Sequence, residues 1–214
     1  MKKLLFVFGL FALVFTGCKK SDDTATASSD FLILTAGSNF TYQSVSGSTT
    51  TVFKLTVKGT DSTINGKAYK VLTNSNGPNN YWLKSGTDYY RYGIFPGLTA
   101  AGGIEELYLK DGSSSWTNNS TISYMGSTYA VVGTYKITET GITKTVAGKT
   151  YTGVTHVTVA LSTSISVVSL SLGSGDFYYA PGVGLINYTA TVGNATVGIA
   201  TSTQSSDLIA YEIK

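Results

Sequence analysis

The chain has 214 residues, with 15 Lys and Arg, 12 Asp and Glu, one His and a formal net charge of +3, a length that suits one domain with a sizeable core. Its basic residues are scattered singly apart from Lys2-Lys3 and Lys19-Lys20, so the electrostatic footprint of nucleic-acid binding is missing. One cysteine excludes a disulfide framework within the chain, and one cysteine with one histidine is too few for the usual zinc sites.

Met1, Lys2 and Lys3 form a basic start, and residues 4–15 are an unbroken apolar run. That run fits the central region of a secretory signal and is too short to cross a hydrocarbon core of ~30 Å. Thr16, Gly17 and Cys18 follow. A small residue directly before a cysteine at the end of such a run resembles the lipobox of bacterial lipoproteins. The resemblance implies cleavage after residue 17, diacylglycerol on the Cys18 sulfur and an acyl chain on its amine. Cys18 is the chain's only cysteine, and a lone thiol at the membrane end of a secreted protein suits covalent anchoring. Acyl chains at about 0.8 kcal/mol per buried methylene make such an anchor effectively permanent. No cofactor is expected beyond this covalent lipid. Lys19, Lys20, Ser21, Asp22 and Asp23 come next. A Cys-Lys-Lys start followed by acidic residues resembles the tract that sends Bacteroidota lipoproteins to the outer face of the outer membrane; a solvated linker is the plainer reading. Residues 24–30 are rich in Thr, Ala and Ser, so residues 18–30 read as a lipidated flexible tether.

Residues 31–214 read as a single β domain. Beyond residue 17 the chain carries 13 basic and 12 acidic residues, about one net positive charge. Thr, Ser, Val, Gly and Tyr dominate it, and β-branched and aromatic side chains suit pleated, half-buried surfaces. In chain order, period-two alternation marks strands around Phe53, Leu55 and Val57, around Tyr135 and Ile137, and around Val157, Val159 and Leu161. It continues at Val197 and Ile199, and ends at Ile209, Tyr211 and Ile213. Turn residues separate these runs at Asn65-Gly66, Asn76-Gly77-Pro78, Ser85-Gly86, Asp111-Gly112, Ala147-Gly148, Pro181-Gly182 and Gly193-Asn194. The expectation is an all-β fold: an antiparallel meander sheet, as a curved half-barrel or a sandwich, with few or no helices outside the signal peptide. Gly66-Lys67-Ala68-Tyr69 and Gly148-Lys149-Thr150-Tyr151 resemble each other, and each precedes an aromatic pair, Tyr89-Tyr90 or Tyr178-Tyr179. Two related meander halves would explain this.

These units, together with Tyr178-Tyr179-Ala180-Pro181-Gly182-Val183-Gly184-Leu185, resemble uncharacterised Bacteroidota surface lipoproteins. Some of those families are similar to the LolA-like half-barrels that carry lipoproteins. The resemblance implies a compartment and a curved sheet; it implies no activity. The residues themselves suggest aromatics filling a strand, a turn at Pro181-Gly182 and Gly184, and a return to the core at Leu185 and Ile186.

Catalysis needs convergent polar groups. His156 is the sole histidine, sits on the face opposite the apolar set of its strand, and has no Gly-x-Ser-x-Gly elbow to serve. Glu105 and Glu106 are adjacent, so on a strand they face opposite ways. Among Asp88, Glu139, Asp176 and Asp207 nothing selects a glycosidase-type pair. We therefore expect no enzyme. Aromatic surface remains. Residues 81–92 read as one hairpin with Tyr81 and Leu83 facing the core and Trp82, with some of Tyr89, Tyr90 and Tyr92, exposed or lining a groove near Arg91. The glycine-rich loop at 93–103, which includes Phe95, would be its lid. Trp116 reads as a core anchor at a strand start. The leading expectation is a non-enzymatic, outer-membrane-anchored binding or structural module, on the cell surface or facing the periplasm. The alternatives are a carrier of an apolar, lipid-like ligand in a curved-sheet groove, a glycan-binding module, and a hydrolase using scattered carboxylates. The expected partners are the membrane, through the anchor, and a glycan, lipid or protein ligand.

Overall fold

Two meanders of six strands each run the length of the computed structural model, which describes residues 29–98, 103–124, 126–165 and 168–214. Cys18 and the tract from Lys19 to Asp23 lie outside the described residues. The first meander comprises β1 (Asn39–Ser46), β2 (Thr49–Ile64), β3 (Lys67–Asn74), β4 (Asn80–Ser85), β5 (Asp88–Gly93) and β6 (Ile104–Lys110). The second comprises β7 (Ser115–Tyr124), β8 (Ser127–Val146), β9 (Lys149–Ile165), β10 (Val168–Ala180), β11 (Gly184–Asn194) and β12 (Ile199–Glu212). Antiparallel pairing of β1 with β12 joins the meanders into one twelve-stranded sheet, ordered from β6 through β1 and β12 to β7. The architecture is all-β, and a single sheet removes the sandwich alternative.

The sheet curls until its two edges meet. Among the described residues no strand ladder links β6 to β7; side chains close the seam instead. The Asn118 amide donates to the Glu105 carbonyl at 2.9 Å and accepts from the Leu107 N–H at 3.3 Å. The Trp116 indole donates to the Leu107 carbonyl at 2.7 Å. A primary amide has the donor and acceptor of a peptide unit, so Asn118 occupies the place of a missing strand neighbour. The result is a nearly closed barrel whose seam is bridged at Glu105 and Leu107.

Turn chemistry explains the local register. Asn65-Gly66 and Ala147-Gly148 both take positive φ, +51° and +77° in the first pair and +48° and +80° in the second. These are the two-residue hairpin turns whose twist matches the flanking strands. Each joins the second and third strands of its meander, and Tyr69 and Tyr151 are buried just beyond. The aromatic pairs do not share this correspondence, since Tyr89-Tyr90 lies on a fifth strand and Tyr178-Tyr179 on a fourth.

Two expected alternations break. Val197 belongs to a 3-10 turn (Ala195–Val197) capped by the Asn194 side chain, which accepts from the Thr196 N–H, so the last strand starts only at Ile199. In β12, Leu208 is the buried residue, while Ile209 and Ile213 are about two-fifths exposed. A register shift between Thr41 and Tyr42 puts Leu208 opposite Tyr42, and both side chains are buried. Period-two reading fails wherever such a bulge inserts one residue.

The chain's first described residues cover one end of the barrel. Phe31 and Leu32 are buried; Gly182 donates to the Asp30 carbonyl at 2.7 Å, and Lys84 pairs with the Asp30 carboxylate. Gly184, at φ +108°, lies so close that a Cβ would stand 3.3 Å from the Phe31 carbonyl oxygen. The turn at Pro181-Gly182 and Gly184 therefore receives the incoming chain, and Leu185 and Ile186 return to the core as buried residues.

Candidate functional site

The hairpin of β4 and β5 divides its aromatics between two faces. Cross-strand pairs share a face, and Trp82 pairs with Arg91 while Tyr81 pairs with Tyr92 and Leu83 with Tyr90. Trp82 is 6% exposed and Tyr89 2%, and both point into the barrel. Tyr81, Leu83, Tyr90 and Tyr92 are half-buried on the outer wall. The expected core pair is therefore reversed, since Tyr81 with Leu83 does not form the inner face, while Trp82, expected to be exposed or to line a groove, lines the inner cavity and is no exposed platform. The physical reason is closure of the sheet, which gives the bulkiest ring to the concave side. The outer wall is partly covered as well. Lys67 bonds Glu105 at 2.5 Å and lies 4.2 Å from the Tyr90 ring centre, and the Tyr69 hydroxyl donates to Glu105 at 2.9 Å.

The inner face lines a partly open cavity of about 590 Å3, within the range of small-molecule sites. Tyr42 and Leu55 from β1 and β2, Trp82 and Arg91 from β4 and β5, and Leu185 from β11 line it. Its roof is the chain immediately after β5. Phe95 and Leu98 are 1% and 2% exposed, and the Phe95 ring meets Phe177 on the opposite wall edge-on at 5.9 Å. The Gly97 N–H donates to Gln204 on β12 at 3.0 Å. Gly97 has φ +80°, and an added Cβ would sit 3.0 Å from Val192, so glycine allows this close docking. Ile94 remains half exposed at the mouth. The loop expected as a lid is, over residues 94–98, a roof seated across the barrel.

One ion pair stands inside. Arg91 donates to Glu106 at 2.5 Å, Glu106 is 2% exposed, and Tyr135 donates to the other carboxylate oxygen at 3.0 Å. Burial opposes charge on Arg91, but the facing Glu106 and the neighbouring Tyr179 outweigh it and hold the guanidinium above its ordinary value. Trp116 stacks flat on Tyr135 at 5.4 Å, and Tyr108 stacks on Tyr179 at 5.2 Å. Trp116 is thus the inner-wall anchor expected from its place at a strand start. The Trp82 indole N–H and the Tyr108 hydroxyl are buried with no hydrogen-bond partner among the described residues.

The remaining candidates lie elsewhere. His156 stacks on Tyr178 at 4.2 Å on the outer wall, with Glu139 at 3.0 Å from one ring nitrogen and Asp176 at 2.8 Å from the other. The two acids meet the two different ring nitrogens of the imidazole. Asp88 sits beside Lys110, and Asp207 accepts from Asn187 at 2.6 Å. Among the described residues no group of three His, Cys, Asp or Glu side chains is placed to hold a metal.

Of the seven contact residues expected from sequence, Trp82, Arg91 and Phe95 line the cavity. Tyr89 lies deeper, its hydroxyl 3.5 Å from the Phe31 N–H; Tyr81, Tyr90 and Tyr92 face outward. Sequence reasoning missed Tyr42, Leu55, Leu185 and Gln204. No local signal marks them, because the β1–β12 pairing is what brings chain positions 42 and 204 to one wall.

Fold and cavity together define a class: an antiparallel, nearly closed barrel with a partly open cavity beneath the chain at residues 94–98. No protein-family model matches the chain, and no curated protein matches it. A candidate lipoprotein from Parabacteroides distasonis has a similar structure, with a TM-score of 0.53 and 13% identity over 86% of this chain and 99% of that one. A candidate exported protein with a YmcC-like fold from Bacteroides fragilis aligns at a TM-score of 0.49 and 12% identity, covering 85% of this chain and 98% of that one.

Proposed function

We propose that this chain is a non-enzymatic, exported lipoprotein that holds an apolar or amphiphilic ligand inside its barrel. The roofed cavity of about 590 Å3 carries this reading. Anchoring through lipid on Cys18 rests on the lipobox-like start, and display on the outer membrane rests on the tract from Lys19 to Asp23. The candidate lipoprotein of the same fold is in keeping with export. The inward position of Trp82 favours an enclosed ligand over a glycan stacked on exposed rings. Burying an apolar ligand against Trp82, Phe95 and Leu185 contributes about 25 cal/mol per Å2 removed from water.

The test uses the delipidated, purified protein and the neutral fluorescent probe N-phenyl-1-naphthylamine. We expect saturable binding that blue-shifts the probe. Asn80 lines the cavity beside the mouth and is half-buried; Asn80→Trp should fill the space and weaken binding at least tenfold while the thermal unfolding temperature holds. An absent signal, or equal binding by Asn80→Trp, would overturn the reading.

A further inference from the structure

The cavity's charge balance bears on what it holds, granted the ligand-binding reading above. Arg91 lines the cavity, and its charge is already matched by Glu106, which is 2% exposed and fixed from its other side by Tyr135. The pair contributes no net charge to an otherwise uncharged lining. A carboxylate entering this space would add a negative charge beside Glu106, in surroundings where an unmatched charge is strongly disfavoured.

Hydrogen-bonding capacity is lopsided in the same place. A guanidinium carries five N–H donors, and that of Arg91 makes one hydrogen bond among the described residues, to Glu106. Trp82, directly opposite Arg91 in the β4–β5 ladder, has a buried indole N–H with no acceptor among the described residues. Glu106 is engaged by Arg91 and Tyr135, and across the barrel the Leu185 carbonyl by the Tyr42 hydroxyl at 2.9 Å, while the buried Tyr108 hydroxyl, its ring 5.3 Å from that of Trp82, adds a further O–H with no partner among the described residues. Such a wall wants an oxygen that accepts without carrying charge. We propose that the ligand is a neutral acyl ester, its ester oxygens set toward Arg91 and its chain under Phe95 and Leu98, and that a free fatty acid is selected against.

The experiment displaces bound N-phenyl-1-naphthylamine with monoolein and with oleate, each below its aggregation concentration, at pH 8. Monoolein should compete at a concentration at least tenfold lower than oleate. Glu106→Gln leaves Arg91 unmatched and should reverse the order. If that variant does not fold, methyl oleate against oleate on the unaltered protein asks the same question with one functional group changed, and methyl oleate should win by a similar factor. Oleate competing as well as its esters overturns the ester assignment and leaves the cavity reading standing. A probe that never binds overturns both.

Discussion

Buried tyrosines set the pH response at the scale of single residues. Burial, with Tyr211 second, pushes the Tyr151 phenol up to about 12. Burial likewise raises Tyr42, Tyr108, Tyr135 and Tyr179. Unfolded tyrosines ionise near pH ~10. From there upward the unfolded state binds fewer protons than the folded one, so stability falls as pH rises; below about 10 this contribution is fully present. The urea midpoint should therefore drop steeply between about pH 10 and 12, with phenolate absorbance appearing together with unfolding. Ionisation of all fifteen tyrosines in the folded protein near pH ~10 would contradict the packing described. Trp82 teaches the related lesson about legibility. Period-two geometry correctly divides the hairpin's rings between two faces. Which face is concave depends on the curl of twelve strands, which no local pattern encodes.

Strands and turns were the most legible elements, because β-branched alternation and Gly/Asn turns act locally. The Asn65-Gly66 and Ala147-Gly148 hairpins fall where their residues permit positive φ. Bulges were not legible, and they explain the reversed face of β12. The β6–β7 seam was also invisible, since it depends on Asn118 and Trp116 reaching backbone atoms rather than on strand pairing. Asn118→Ala would leave the Glu105 carbonyl and the Leu107 N–H without their partner, and unsatisfied groups of this kind cost about 1–3 kcal/mol each where buried. We expect a loss of that order in total stability and faster hydrogen exchange at Leu107, with exchange in β1 and β12 unchanged. Exchange accelerated equally across the sheet would mean that the seam is not a separate closure.

The whole molecule has two different ends. At one, Asp30 and Phe31 are held by Lys84, Gly182 and Tyr89. At the other, residues 94–98 roof the cavity. β4 runs from Asn80 at the cavity to Lys84 beside Asp30, and β5 returns from Asp88 to the roof. The chain's first described residues thus sit at the end away from the cavity mouth; under the anchoring proposed above, a ligand would enter from the side opposite Asp30. Occupancy of the cavity is the central claim of the proposed function. Native mass spectrometry of the protein purified from its own membrane tests it most directly. The account predicts a population heavier by one neutral acyl ester, lost in Asn80→Trp and restored to the stripped protein by monoolein. A spectrum showing the bare protein alone, unchanged after incubation with monoolein, would contradict it.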